Sequence, residues 1–162
     1  MQGQAYRPDI DGLRAIAVLV VVFFHVGFAP FSGGYVGVDV FFVISGFLIT
    51  RLIHEQIGKG TFSFATFYAR RARRLFPALF FTLVVSFVFA TMLFSPDDLE
   101  RFAQSVIFTV LSVSNFLFWR ESGYFDAEAN VKPLLHTWSL SVEEQFYLVW
   151  PLTMVVLAWL GS

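Results

Sequence analysis

Hydrophobic residues in this chain occur in long blocks rather than in the amphipathic stripes of soluble helices. A helix needs about 20 mostly apolar residues to cross the hydrocarbon core of a membrane. The pattern predicts five such spans, at about residues 12–29, 35–53, 75–94, 103–119 and 142–160. The fourth block carries several small polar residues that typically face other helices rather than lipid: Gln104, Ser105, Ser112, Ser114 and Asn115.

Composition agrees with this pattern. Of the 162 residues, 57% are hydrophobic and only 14% are charged, whereas soluble domains carry about a quarter charged residues. We therefore predict an all-α, polytopic transmembrane helix bundle. The net charge of −1 gives no reason to expect a nucleic-acid partner. The absence of cysteine from the sequence excludes a thiolate nucleophile and a disulfide within it.

The charges between the blocks predict the orientation of the bundle in the lipid bilayer. Six basic residues lie between the second and third blocks, against the single acid Glu55: Arg51, Lys59, Arg70, Arg71, Arg73 and Arg74. The segment between the first two blocks has no charge, so the positive-inside rule places the N-terminus and the arginine segment in the cytoplasm. Five spans would end the chain outside, directly after an apolar run, so we expect further helices after Ser162.

Arg14 and His25 are the first candidate functional residues. From Ala15 to Val38, His25 is the only side chain that changes charge near neutral pH, and such a group at membrane depth is a functional candidate. Eleven residues correspond to slightly more than three helical turns, so both side chains share one face, roughly 16 Å apart. Alternatively, Arg14 extends to the membrane interface or pairs with Asp11.

Asp39 is a candidate partner for His25. The turn between the first two blocks centres near Ser32, seven residues from each, so an antiparallel helix pair would bring them to similar depth. A carboxylate beside an imidazole fixes its tautomer and prepares a general base. In the alternative reading, a backbone carbonyl satisfies the histidine and Asp39 caps the second helix.

Two further segments carry charged residues next to a predicted span. The arginines at 70–74 fix topology, and they also suit the phosphates of a soluble donor or of lipid headgroups. At the start of the fifth span, Ser141 and Glu144 fit a helix capping box, which leaves Glu143 without a structural explanation. The three histidines form no metal-ligand pattern, and Ser45-Gly46 lacks the context of a nucleophile elbow.

Four segments of the chain resemble the signature motifs of the membrane acyltransferase-3 family. The first has an arginine and a histidine separated by ten residues, here Arg14 and His25. The others are GYVGVDVFFVISGFLIT at 34–50, FYARRARR followed by Pro77 at 67–77, and HTWSLSVEEQFY at 136–147. The matches occur in order over nearly the whole chain, so residues 1–162 resemble the N-terminal part of the family's transmembrane domain.

The resemblance implies a multi-pass enzyme of the bacterial inner (plasma) membrane, usually with about ten helices. Such enzymes transfer an acyl group, often acetyl, from cytoplasmic acyl-CoA to exported glycans such as lipopolysaccharide O-antigen or peptidoglycan. No bound cofactor or metal is implied, and acetyl-CoA is the expected donor. A proton-coupled transporter or flippase half is the alternative function, and an inactive fragment is a third.

We combine the resemblance with the residue pattern to predict the site. The catalytic residues would be His25, Asp39 and Glu143, with His25 as general base or transient acyl carrier. The donor phosphates would be bound by Arg14, Arg71 and Arg74. The cavity would be lined by Tyr147, Trp138 and Ser45.

Overall fold

The computed structural model describes residues 7–122 and 132–161, and within those ranges it contains helices and no strand. The elements, in chain order, are α1 (Pro8–His25), a short 3-10 helix (Ala29–Phe31), α2 (Val36–Gly58), α3 (Phe64–Leu93), α4 (Pro96–Val110), α5 (Ser114–Glu121) and α6 (Thr137–Leu160). The predicted all-α class is confirmed. The chain divides into two compact units, one up to Glu55 and one from Gln56 onward, and each is described by itself.

The first unit is an antiparallel hairpin of α1 and the greater part of α2. Pro8 begins α1, where a missing N–H costs nothing, and acidic side chains in its first turn favour the positive end of the helix dipole. The two helices approach closely at Gly37 of α2, which faces Ala17 and Val21 of α1. Gly27, with φ +71°, allows the chain to leave α1 abruptly.

The second unit contains α3 to α6 around an apolar core. Its buried side chains are Leu79, Leu83, Ala90, Phe102, Phe118 and Leu134. Ser63 caps the start of α3, since its hydroxyl accepts a hydrogen bond from the Thr66 amide. The helix itself has 30 residues and includes Pro77 in its interior. This geometry corrects the sequence-based expectation that the arginines at 70–74 lie in a connection between the second and third spans, because these residues lie within α3. Alanine and arginine are strong helix formers, so the helix extends well before the apolar block.

Two helices of the described residues are long and apolar enough to cross a membrane, Val36–Gly58 and Phe64–Leu93. They correspond to the second and third predicted spans. Their length and composition agree with the predicted class of membrane protein. The other three predicted spans stay predictions as membrane crossings.

The fourth predicted span is not one helix. The chain leaves α4 after Val110 and begins α5 at Ser114, with Ser112 between them in the left-handed region at φ 55°. The prediction of a continuous helix over 103–119 is therefore wrong. Polar groups of α6 replace the hydrogen bonds that the break removes, since the Gln145 amide donates to the Ser112 carbonyl at 2.8 Å. The expectation that Ser114 and Asn115 face another helix is confirmed by their contacts with α6.

Candidate active site

His25 is the last residue of α1 and its side chain is exposed on the first unit. Its Nδ1 lies 2.8 Å from the carbonyl oxygen of Val21, one turn earlier. A carbonyl only accepts hydrogen bonds, so Nδ1 must carry the proton of this contact. In the neutral ring the lone pair is then on Nε2, which is the atom available for base or nucleophilic chemistry.

Asp39 lies in the first turn of α2 and is exposed. The structure does not bring it to the depth of His25, and in the described residues the two side chains share no hydrogen bond. The close approach of Gly37 to Ala17 and Val21 sets the register, so Asp39 lies near the level of Ala17 rather than near the end of α1. The backbone carbonyl, rather than the carboxylate, fixes the tautomer of His25, and the catalytic role of Asp39 stays a prediction.

Arg14 is half-buried on the same helix as His25, eleven residues earlier. Its guanidinium carbon lies 5.9 Å from the centroid of the Phe41 ring on α2, within the range of a cation–π contact. The predicted alternative, an ion pair with Asp11, is not found in the described part of the chain. At the start of α1, Asp9 forms an ion pair with Arg7. The hydrogen bond from Arg7 lowers the pKa of Asp9 to about 2.

The arginines of α3 differ in their surroundings. Arg70, Arg73 and Arg74 are exposed, and in the described residues none of these three makes an ion pair. Arg71 instead faces α6, and only 19% of its side chain is exposed. The four guanidiniums that the sequence grouped together are therefore three solvent-facing cations and one cation held between helices.

Arg71 contacts three residues of α6. Its Nη2 lies 4.0 Å from Oε1 of Glu143 and 3.9 Å from Oε1 of Glu144. Its guanidinium carbon lies 3.5 Å from the centroid of the Tyr147 ring, which is a stacked cation–π geometry. The Tyr147 hydroxyl donates a hydrogen bond to Oε1 of Glu143. The structure thus brings together three of the predicted site residues, Arg71, Glu143 and Tyr147.

The other predicted residues of the donor site and the cavity have different surroundings within their own units. Arg74 is exposed three residues after Arg71. Trp138 is partly exposed near the start of α6, and Ser45 is half-buried within α2 in the first unit. Their predicted roles as donor-binding or cavity-lining residues stay predictions.

The predicted capping box at Ser141 is wrong, because α6 already begins at Thr137. The Ser141 hydroxyl is buried and lies 2.8 Å from the hydroxyl of Ser114. One turn earlier, the Thr137 and Thr109 hydroxyls are 2.9 Å apart. These buried pairs, together with Gln145, hold the break between α4 and α5 against α6. The polar residues in the fourth block were the available sequence signal for this network.

Comparison with known proteins identifies the family. Residues 7–160 match the acyltransferase domain of the acyltransferase-3 family. The chain is 41% identical over 160 residues to the peptidoglycan O-acetyltransferase OatA of Listeria monocytogenes, covering 97% of this chain and 26% of the relative. It is 40% identical over 157 residues to the putative peptidoglycan O-acetyltransferase YrhL of Bacillus subtilis, covering 96% and 25%.

The O-acetyltransferase OatA of Staphylococcus aureus is 39% identical over 158 residues, covering 97% of this chain and 26% of the relative. The chain thus spans about a quarter of the length of these curated relatives. No solved structure matches the chain. Because the family match extends over residues 7–160 and includes all four signature segments, the chain belongs to the acyltransferase-3 family.

Proposed function

We propose that this chain forms part of a membrane O-acetyltransferase that transfers an acetyl group from cytoplasmic acetyl-CoA to a hydroxyl of peptidoglycan or another exported glycan. Family membership and the names of the relatives support acetyl transfer and a glycan acceptor. The two apolar helices support a location in the plasma membrane. The unequal distribution of basic residues supports a cytoplasmic N-terminus.

The observation that carries the proposal is the contact between His25 Nδ1 and the Val21 carbonyl oxygen. With Nδ1 bound to the Val21 carbonyl, Nε2 has a free lone pair on an exposed ring. As a general base, Nε2 would take the proton of the acceptor hydroxyl while that oxygen attacks the thioester carbonyl. The new C–O bond forms, the C–S bond breaks, and the proton passes from the imidazolium to the departing thiolate. As an acyl carrier, the same Nε2 would accept the acetyl group first and pass it on.

The exposed arginines of α3 supply the proposed binding site for the donor. Coenzyme A carries several phosphate groups, and arginine binds phosphate oxygens in a bidentate manner. Arg74 is exposed and has no ion pair in the described residues, so its guanidinium is available to a phosphate. Arg14, on the helix face that it shares with His25, is a second candidate contact for the donor.

The test is replacement of His25 in the product of the complete reading frame. His25→Ala removes the Nε2 lone pair, and we expect glycan O-acetylation, measured by mass spectrometry, to fall by about 10²-fold or more. His25→Gln keeps a polar side chain of similar length and should be equally inactive. Both variants should reach the membrane in normal amounts, because His25 is exposed and its hydrogen bond among the described residues is to its own helix.

His54→Ala is the matched control, since His54 is also exposed on a helix of the chain. It should keep near-normal acetylation. Near-normal product from His25→Ala would refute the catalytic role of His25. A proton-coupled transporter half has no need of a donor thioester, so failure of the purified wild-type protein to bind acetyl-CoA would favour that alternative.

A further inference from the structure

The arginines of α3 belong to two different environments, and this difference is informative about their roles. A residue that binds a phosphate needs a guanidinium whose donors are free and whose charge is not already compensated. Arg71 meets neither condition, because two carboxylates lie within 4.0 Å of its Nη2. A donor phosphate placed there would also face Glu143 and Glu144, and like charges at such short distances repel.

The contacts of Arg71 instead converge on one carboxylate. Tyr147, which is only 2% exposed, donates its hydroxyl to Oε1 of Glu143. The Arg71 guanidinium covers the Tyr147 ring at 3.5 Å and approaches the same Oε1 atom at 4.0 Å. Two groups thereby fix the Glu143 carboxylate, the Tyr147 hydroxyl through a hydrogen bond and the Arg71 guanidinium through its charge. The same guanidinium also packs on the Tyr147 ring.

We propose that Arg71 is a positioning residue, which fixes Glu143 through Tyr147, and that it is not a ligand of the donor. The exposed Arg74 then binds the donor phosphates, and Glu143 is the carboxylate whose orientation the reaction needs. This inference rests on the proposed acetyltransferase function. It differs from the sequence-based prediction, in which both Arg71 and Arg74 bind the donor phosphates.

A simpler role would be a tether, because Arg71 also connects α3 to α6. Tyr68 offers a matched control for that role. It lies three residues before Arg71 on α3, and its hydroxyl donates to the Leu148 carbonyl of α6 at 2.9 Å rather than to Glu143. Tyr68→Phe removes one α3–α6 hydrogen bond and leaves the group around Glu143 in place.

The experiment measures coenzyme A binding and acetyl transfer in the purified complete protein. For Arg74→Gln, we expect the dissociation constant of coenzyme A to rise about tenfold. For Arg71→Gln, we expect it to stay within about twofold of the wild-type value, while kcat falls about tenfold or more. Arg71→Lys keeps the charge but loses the planar group that stacks on the ring, so it should recover only part of kcat. Tyr68→Phe should keep kcat within about twofold.

A double-variant comparison distinguishes positioning from donor binding. If Arg71 acts through Glu143, adding Arg71→Gln to Glu143→Gln should lower kcat no further, and donor affinity should again be unchanged. Weaker coenzyme A binding in Arg71→Gln or Arg71→Lys would overturn the inference, and so would an equal loss of kcat in Tyr68→Phe. These outcomes would leave the proposed function intact, whereas absence of coenzyme A binding by the wild-type protein would remove it.

Discussion

Gly37 of α2 packs closely against α1 in the first unit. A Cβ on this glycine would lie 2.6 Å from the Ala17 carbonyl oxygen and 2.7 Å from Cγ2 of Val21. The first of these atoms belongs to the backbone and cannot move away by a rotamer change. Because this contact sets the register of the hairpin, it also determines which residues of α2 lie beside the Arg14–His25 helix.

We predict that Gly37→Ala destabilises the protein by about 1–3 kcal/mol, the usual cost of forcing an extra carbon into a packed contact. The measurement is the midpoint of heat-induced loss of the monodisperse species in detergent. Gly58→Ala, at the other end of α2, is the control, because a Cβ there meets nothing within 4 Å. Identical midpoints for the two variants would contradict the packing argument.

The residues of the candidate site were more predictable from the sequence than their contacts. A charged or titratable side chain in an apolar block is conspicuous, so Arg14, His25 and Glu143 could be selected without a structure. Their partners depend on where helices end and how they pack. The pairing of His25 with Asp39 assumed a turn centred at Ser32, whereas glycine packing fixed a different register.

Among the elements, the break between α4 and α5 has the most unusual backbone. Ser112 has φ 55°, a conformation that strains residues with a Cβ. Its carbonyl is satisfied by Gln145 of α6, and the same amide donates at 2.8 Å to Oδ1 of Asn115. The surrounding hydrogen bonds therefore impose the backbone conformation that local preferences oppose.

Substitutions at Ser112 should report this strain. We predict that Ser112→Gly keeps or slightly raises the thermal midpoint, because glycine adopts positive φ without steric cost. Ser112→Val should lower the stability by about 1–3 kcal/mol, since a β-branched residue is least compatible with that conformation. A Ser112→Val variant as stable as Ser112→Gly would show that the helix break does not persist in the folded protein.

The sequence could not predict this break, and its apolar pattern indicated one continuous helix over 103–119 instead. Residues 111–113 contain neither glycine nor proline, which are the usual signals for the end of a helix. The partners that stabilise the break, Thr137, Ser141 and Gln145, lie about 30 residues later in the chain. Hydrogen bonds between hydroxyls so far apart in sequence do not change the helix propensity of residues 111–113. The break therefore becomes visible only when α4, α5 and α6 are packed together.

For the molecule as a whole, the predicted orientation can be tested with single cysteines. The 162 residues contain no cysteine, so a cysteine at position 32 or 59 reports one location once any others in the reading frame are replaced. Both Ser32 and Lys59 are exposed, and they flank the two ends of α2. We predict that an impermeant thiol reagent labels Ser32→Cys on intact cells and labels Lys59→Cys only after lysis.

The reverse labelling pattern would invert the topology and place the arginine segment outside. Labelling of both positions on intact cells would show that α2 does not cross the membrane. Either result would also contradict a cytoplasmic donor site at Arg74.

The position of His25 at the end of α1 has a consequence for energetics. The helix has 18 residues and is therefore about 27 Å long, and Arg14 and His25 lie about 16 Å apart along it. In the proposed orientation, with the N-terminus in the cytoplasm, Arg14 would contact the donor on the cytoplasmic side and the reactive nitrogen of His25 would lie toward the outer side. Only the acetyl group would then cross the membrane, while coenzyme A would stay on the cytoplasmic side. The proposed reaction would therefore be vectorial, because cleavage of a cytoplasmic thioester would drive acetylation on the outer side of the membrane.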